Sequence, residues 1–403
     1  MKEKIKQNIA IPLNKNTIDR EEKDKAIEVL ESGYVTLGKN CFEFEDEFAE
    51  YMGVKNAIFV NSGSSANLLA FFALANPALQ SGDKPQSIVG KEVIVPAVTW
   101  STTIWPIIQA GAKPVFVDSD VDSLQLKYEQ VEAAINENTA AICVVHILGN
   151  AAEIIKYKEL ADKHNLWLIE DTCESLGVKH QGKFVGTYGD VGTYSFFFSH
   201  HITTIEGGMV VTNDDELAEL MRALRAHGWT RQLKNPEKYT EANPDLDPRF
   251  LFINTGFNLR PNEINAAIGK VQLKKLASYN KARHKVSEIW AKDLAKYSEY
   301  FRTVRVTEGT EASLFGFPII CKDKELRDRL QNYLEENGVE TRPIICGNIA
   351  KQPALEYFDY KIADNLDDAD KIMDCGLYWG NNPLMTEEEI AYLTNTIDRF
   401  FNS

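Results

Sequence analysis

The chain has 403 residues, 44% of them hydrophobic and 26% charged, and carries a net charge of −15. That length exceeds one ordinary domain, so a large domain over residues 1–285 and a smaller companion over 286–403 are expected. The acid excess repels polyanions, which excludes nucleic acid and anionic membrane as natural partners. No run approaches the roughly 18 apolar residues of a membrane span, and "MKEKIKQNIAIPLNK" lacks the apolar core of a secretory leader, so a cytoplasmic location is expected. The cysteines Cys41, Cys143, Cys173, Cys321, Cys346 and Cys375 are scattered without any C-x-x-C pair. Zinc, redox and iron–sulfur sites need closer spacing, so the expectation is no metal and buried or incidental thiols.

Taken along the chain, "TIDREEKDKAIEVLESG" opens with acids and a cap candidate, carries apolar residues at helical spacing, and ends on Gly33. It predicts one helix. From about residue 56 to 212, short apolar runs alternate with helical stretches; "AIFV", "EVIVP", "PVFVD", "AAICVVHI" and "LWLIED" are the expected strands. Such alternation predicts an α/β fold with a mainly parallel sheet covered by helices on both faces. Ligands in these sheets lie at the carboxyl ends of the strands. The segments to inspect are therefore "NSGSSAN", "PAVTWSTT", "DSD", "LGN" and "EDTCES". Further on, "PNEINAAIGKVQLKKLASYNKARHKVSEIWAKDLAKY" reads as a long connecting helix, and "NPEKYTEANPDLDPRFLFINTG" before it as a loop. Beyond Glu299, strand-like "LFGFPIICK", helix-like "DKELRDRLQNYLEENG" and strand-like "VETRPII" predict a smaller α+β domain.

Several of these segments carry chemistry, each beside a plainer explanation. "NSGSSANLLAFFALA" passes from strand to helix, where free amides and the helix dipole form a phosphate site nearest Gly63 and Ser64; a serine-capped turn accounts for the same residues. Asp171 ends an apolar strand at the cleft floor, where its charge would keep a cofactor's ring nitrogen protonated; it could equally cap the next helix. Glu174, one turn on, assists it or pairs with a base. Trp100 offers a flat face to an aromatic cofactor, or packs in the core. "RALRAHGWTRQLKNP" holds Arg222, Arg225, Arg231 and Lys234 without an acid, a pattern suited to a diphosphate. A solvated helix face explains Arg222 and Arg225 as well; Arg231, outside the helical pattern, is the better candidate. Lastly, "TYSFFFSHHITTIEGGMVVT" sets His200 beside His201, a packed pair or a metal site, with no second ligand cluster to favour the metal.

Together these residues resemble the DegT-type sugar-nucleotide aminotransferases, fold-type I enzymes that use pyridoxal phosphate. The resemblance covers nearly the whole chain, through "SGSSANLLA", "VPAVTWSTT", "LIEDTCESLG", "YSFFFSHHITTIEGGMVVT", "RAHGWTR", "GFNLRPNEINAAIG" and "GVETRPII" in order. It implies a fold-type I aminotransferase architecture: a mainly parallel, seven-stranded mixed sheet between helices, plus a smaller C-terminal α+β domain. In the family's catalytic segment a lysine bonds covalently to the cofactor. Counting five residues on from Ser195, or six back from Glu206, that position is His200, and the nearest lysines along the chain are Lys183 and Lys234.

The exchange changes what the resemblance implies. An imidazole cannot hold the cofactor covalently, so L-glutamate can convert it to pyridoxamine phosphate, whose amine condenses with a substrate ketone. His200 then serves as base and acid, and the sugar loses the hydroxyl next to the ketone. This pattern resembles the sugar-nucleotide 3-dehydratases of 3,6-dideoxysugar (O-antigen) synthesis, acting on a nucleotide-linked 4-keto-6-deoxyhexose. Ile205, "AHGWTR" and "RPIICGN" resemble the GDP-sugar branch more than the iron–sulfur CDP-sugar branch. Carried over by position, Gly63, Ser64 and Ser195 lie at the cofactor phosphate, with Asn258 reaching it from a second subunit of a homodimer with shared active sites. Trp100 stacks on the ring, Asp171 holds its nitrogen with Glu174 nearby, and Arg231 and Arg342 take substrate or glutamate carboxylate. An aminotransferase with an imidazole base and a non-catalytic binding protein are the alternatives.

Overall fold

The computed structural model describes residues 10–402. Residues 1–9 of the N-terminal segment read above as lacking an apolar core lie outside the described residues. Eight strands form the central sheet: β1 (Asn56–Val60), β2 (Glu92–Pro96), β3 (Lys113–Val117), β4 (Thr139–Val145), β5 (Trp167–Asp171), β6 (Val191–Ser195), β7 (Gly208–Thr212) and β8 (Lys361–Ile362). Their order is β1-β7-β6-β5-β4-β2-β3-β8. β7 runs antiparallel to both neighbours and every other pair is parallel. Strands β1, β2 and β4 to β7 are buried along their whole length, as expected of a sheet covered on both faces.

Strands β1 to β7 make up the expected seven-stranded mixed sheet. The eighth was not expected: two residues from the C-terminal part pair with Val115 and Phe116 and cover the β3 edge. β6 and β7 had no strand assignment of their own, because glycines and polar residues interrupt their apolar pattern.

Helices follow the strands and set the floor of the cleft. α1 (Arg20–Ser32) starts with a capping box between Asp19 and Glu22 and stops at Gly33, whose φ of 74° suits glycine. α2 (Lys39–Met52), α3 (Gly63–Leu74), α4 (Ser101–Gln109) and α5 (Asp215–Arg225) flank the sheet. The long connector is a helix as expected, α6 (Glu263–Leu294), capped by the Asn262 side chain on the Asn265 amide. The stretch expected to be a loop after Arg231 contains a short helix, Glu237–Ala242, and a 3₁₀ turn at Pro248–Phe250.

Arg222 and Arg225 require a correction. Neither lies on a solvated face, and neither is free for a diphosphate: both are buried, at 3% and 0% exposure. Arg225 pairs with Glu45 and donates to the Phe59 carbonyl at 2.8 Å, and Arg222 approaches the Asn56 side chain at 3.4 Å. They join α5 to α2 and β1 from within.

Beyond α6, a second antiparallel sheet contains Phe301–Thr303, Gly316–Cys321, Gly376–Gly380 and Thr341–Arg342. It packs through Trp290, Phe317 and Trp379, with ring centroids 5.3 to 6.0 Å apart. "VETRPII" contributes only Thr341 and Arg342 as strand. Pro343 has no amide for the ladder, and Ile345 turns the chain with φ 50°. No helix among the described residues is long and apolar enough to cross a membrane.

Candidate active site

A cavity of about 680 Å³ opens at the carboxyl ends of the parallel strands and is bounded on the far side by Phe315, Arg342, Pro343, Ile345 and Tyr378. It brings together Gly63, Ser64, Trp100, Asp171, Glu174, Ser195, His200 and Arg342 from the sequence reading. It does not include Arg231 or Asn258. Arg231 is exposed with its guanidinium 5.2 Å from the Trp229 ring, and Asn258 is exposed and accepts from Arg260 at 2.9 Å.

One end of the cavity is a helix N-terminus. Ser62 caps α3 by accepting the Ser65 amide at 3.0 Å, which leaves the amides of Gly63 and Ser64 without an intrahelical acceptor. Position 63 has to be glycine: a β-carbon there would lie 2.5 Å from the Ser195 β-carbon. The close approach places the Ser195 hydroxyl against the helix start, a set of donors suited to a dianionic phosphate.

The floor is Asp171, the last residue of β5, 4% exposed. One carboxylate oxygen accepts from Asn67 Nδ2 at 2.8 Å and from Thr103 Oγ1 at 2.7 Å; the other accepts the Cys173 amide at 3.1 Å. Thr193 donates to Asn67 at 2.6 Å and Thr99 to Thr103 at 2.9 Å, so five side chains form one chain of bonds. Asn67, Thr99, Thr103 and Thr193 were not singled out in the sequence. Asn67 follows Gly63 by one helical turn and Thr103 follows Trp100 in "WSTT", so helical spacing was the available signal.

Trp100 stands at the N-terminus of α4 with 56% of its surface exposed, a large apolar face left open in a cavity wall. Glu174 is enclosed, and burial pushes its carboxyl up to about 8; the Leu148 amide opposes this and the Asp171 charge adds to it. Cys173 also lines the cavity, but burial and the Asp171 carboxylate raise its thiol well above the ordinary value, so it stays protonated. Arg342 is half committed, donating to Glu340 at 2.7 Å and to the Thr341 carbonyl at 2.8 Å.

The adjacent histidines point to different jobs. His200 lines the cavity, with its ring edge-on to Phe197 and Phe315 at centroid distances of 6.1 and 5.6 Å. Its Nδ1 is enclosed and has no hydrogen-bond partner among the described residues. Burial, then the Arg283 charge, pull it down to about 4. His201 is fully buried and bonds through Nε2 to the Ser313 carbonyl at 2.8 Å. That bond makes Nε2 a protonated nitrogen; burial and then the Arg283 charge hold the ring well below the ordinary histidine value, against the pull of the Ser313 carbonyl.

These residues fit pyridoxal phosphate: helix amides and Ser195 for the phosphate, an exposed indole for the ring face, and a carboxylate held by neutral donors for the ring nitrogen. No lysine among the described residues lines the cavity.

The comparisons agree with this geometry. The chain is 40% identical to a GDP-4-keto-6-deoxy-D-mannose 3-dehydratase of Yersinia pseudotuberculosis, over 97% of this chain and 99% of that protein. It is 38% identical to the protein of the same name from Escherichia coli O55:H7, over 96% of this chain and 100% of that one. A crystal structure of GDP-4-keto-6-deoxymannose-3-dehydratase with a trapped PLP-glutamate geminal diamine superposes with a TM-score of 0.86 at 36% identity, over 96% of this chain and 99% of that one. The family model described as DegT/DnrJ/EryC1/StrS aminotransferase family matches residues 16–398, and the chain belongs to that family.

Proposed function

We propose that the protein is a pyridoxal/pyridoxamine phosphate-dependent 3-dehydratase acting on GDP-4-keto-6-deoxy-D-mannose, with L-glutamate as amino donor. The products are the 3-deoxy sugar, 2-oxoglutarate and ammonia. The observation that carries the reading is His200: an imidazole lines a cofactor-shaped cavity that no lysine among the described residues lines. When bound, the cofactor supplies the amine that condenses with the substrate ketone and the ring that accepts its electrons.

The chain's residues supply the rest. Gly63, Ser64 and Ser195 hold the phosphate, Trp100 covers the ring face, and Asp171 holds the ring nitrogen. Asn67 and Thr103 fix the Asp171 carboxylate, so the charge meets that nitrogen in one orientation. His200 is neutral at pH 7 and free to take a proton. With its pKa near 4 the protonated form is a strong acid for an imidazole, suited to giving that proton to the departing C3 hydroxyl. Phe197 and Phe315 against its ring limit water, which favours delivery to the substrate.

The finer parts belong to the same reading. Asn258 and Arg231 lie outside the cavity of their own chain, which is where residues that complete a partner's site belong; the active assembly is a homodimer with shared sites. Arg342, with part of its guanidinium uncommitted, takes a carboxylate of glutamate or an oxygen of the substrate. The large lobe spans 1–285 and the small lobe 286–403, and the enzyme works in the cytoplasm for dideoxysugar synthesis.

The test supplies cofactor, glutamate and, side by side, GDP-, CDP- and dTDP-linked 4-keto-6-deoxyhexoses. A 3-deoxy product with ammonia is expected from the GDP-mannose-configured sugar. If no candidate yields either, the reading fails.

A further inference from the structure

Behind the histidine pair lies a cation that the proposed reaction does not use. Arg283, on α6, is 1% exposed, and none of the described acids forms an ion pair with it. One terminal nitrogen donates to the His201 carbonyl at 3.2 Å and approaches the His200 carbonyl at 3.4 Å. Its Nε and its other terminal nitrogen are buried without any partner among the described residues. Its own carbonyl accepts from Asn381 at 3.0 Å, and Asn381 also donates to the Leu314 carbonyl at 2.6 Å, so three segments meet at this residue. Burial draws the guanidinium down to about 9, which leaves it charged at neutral pH.

A buried charge without a counter-ion opposes folding by several kcal/mol, far more than two long carbonyl contacts return. A lysine or a glutamine could make such contacts too. The cost calls for a reason in the neighbourhood, and the neighbourhood is the backbone of His200 and His201.

We propose that Arg283 is a positioning residue for the His200 step: it ties the carbonyls of the histidine pair and presents uncompensated positive charge to their back. The inference rests on the dehydratase reading for its purpose, but not for its measurement. A cation behind the ring disfavours a second one on it, so His200 waits as a base and releases a captured proton readily. The other charged or titratable groups around His200 are accounted for. From β5 and the turn after it come Asp171, Cys173 and Glu174; from its own loop come His201 and Glu206; from the C-terminal lobe come Arg342 and Tyr378. The carboxylates of Asp171 and Glu206 act in the opposite sense to Arg283, whereas Glu174 is protonated at neutral pH; Tyr279, one turn before Arg283 on α6, is close enough to act electrostatically on the guanidinium.

The experiment follows the His200 titration by NMR in cofactor-loaded protein with isotope-labelled histidine, the resonance being assigned by its loss in His200→Asn. In Arg283→Gln the midpoint is expected to rise by about one pH unit, and in Arg283→Lys to stay near that of the parent, because the charge remains. Tyr279→Glu, which leaves Arg283 in place but supplies a counter-charge, is expected to move it in the same direction and covers the case in which Arg283→Gln does not fold. A midpoint unmoved in Arg283→Gln or, failing that, in Tyr279→Glu overturns the proposal. A residue that only held the loop would disturb folding and turnover without shifting the titration. The titration reads the same whether or not the protein dehydrates a sugar, so failure of this inference is distinct from failure of the functional reading.

Discussion

The Leu148 amide donates to the Glu174 carboxylate at 2.9 Å, and Leu148 adopts a φ of 54° where it does so. A left-handed leucine is strained, and such strain concentrates at functional sites. Here it aims a single donor at an acid that is otherwise enclosed. The donor does not offset burial, and the carboxyl keeps its proton up to about pH 8.

A pH dependence of stability follows. The folded state holds the Glu174 proton up to about pH 8, while the unfolded chain releases it near 4.5. Between those values the folded state binds more protons, so this group's contribution to stability falls as pH rises. Glu174→Gln mimics the protonated acid and removes the slope. In denaturant unfolding without cofactor, the variant is expected to gain on the parent between pH 5 and pH 8; an equal difference at both pH values would contradict the assignment.

His200→Asn keeps the shape of the site and removes the base. Dehydration is expected to fall by about 10² to 10⁴-fold, the usual contribution of a general acid–base group, while cofactor absorbance on titration stays close to that of the parent. Turnover within a factor of a few of the parent would remove His200 from the reaction.

Gly63→Ala places a methyl 2.5 Å from the Ser195 β-carbon. Neither backbone can retreat without moving α3 or β6, so the variant is expected to lose about 1 to 3 kcal/mol of stability, with weaker cofactor binding. Equilibrium dialysis with pyridoxal phosphate and a denaturation curve read the two effects. Parent-like values in both would show that the close approach is not needed.

Ile205 has a φ of 73° and is 48% exposed. A β-branched side chain is poorly suited to that backbone, whereas asparagine tolerates it. Ile205→Asn is expected to stabilise the chain by about 1 kcal/mol in denaturant unfolding. A loss of stability would mean that the isoleucine side chain makes contacts that outweigh its backbone strain.

Much of this site was legible because its residues sit at strand ends and helix starts, where local pattern and chemistry coincide. Gly63 and Trp100 follow recognisable strands, Asp171 ends one, and all three converge on the cavity with His200, which was found by register. The register from Ser195 and Glu206 separated His200 from His201, and in the structure His200 lines the cavity while His201 is bonded to the Ser313 carbonyl. Arg222 and Arg225 were harder. Basic residues in an acid-poor segment look solvated, and the acid that buries Arg225, Glu45, is 180 residues away. Arg283 gave no signal at all, since a lone arginine in a long polar helix is unremarkable until the fold encloses it. β8 was hidden for a similar reason: two residues have no periodicity, and only the β3 edge makes them a strand.

The central claim is that replacing an amine by His200 makes this a dehydrating site. Mass spectrometry of the sugar formed from GDP-4-keto-6-deoxy-D-mannose with cofactor and glutamate, alongside an ammonia assay, tests it most directly. The account predicts a keto sugar that lacks the C3 oxygen, with ammonia released in equal amount; an amino sugar that keeps its C3 hydroxyl, with no ammonia, would contradict it.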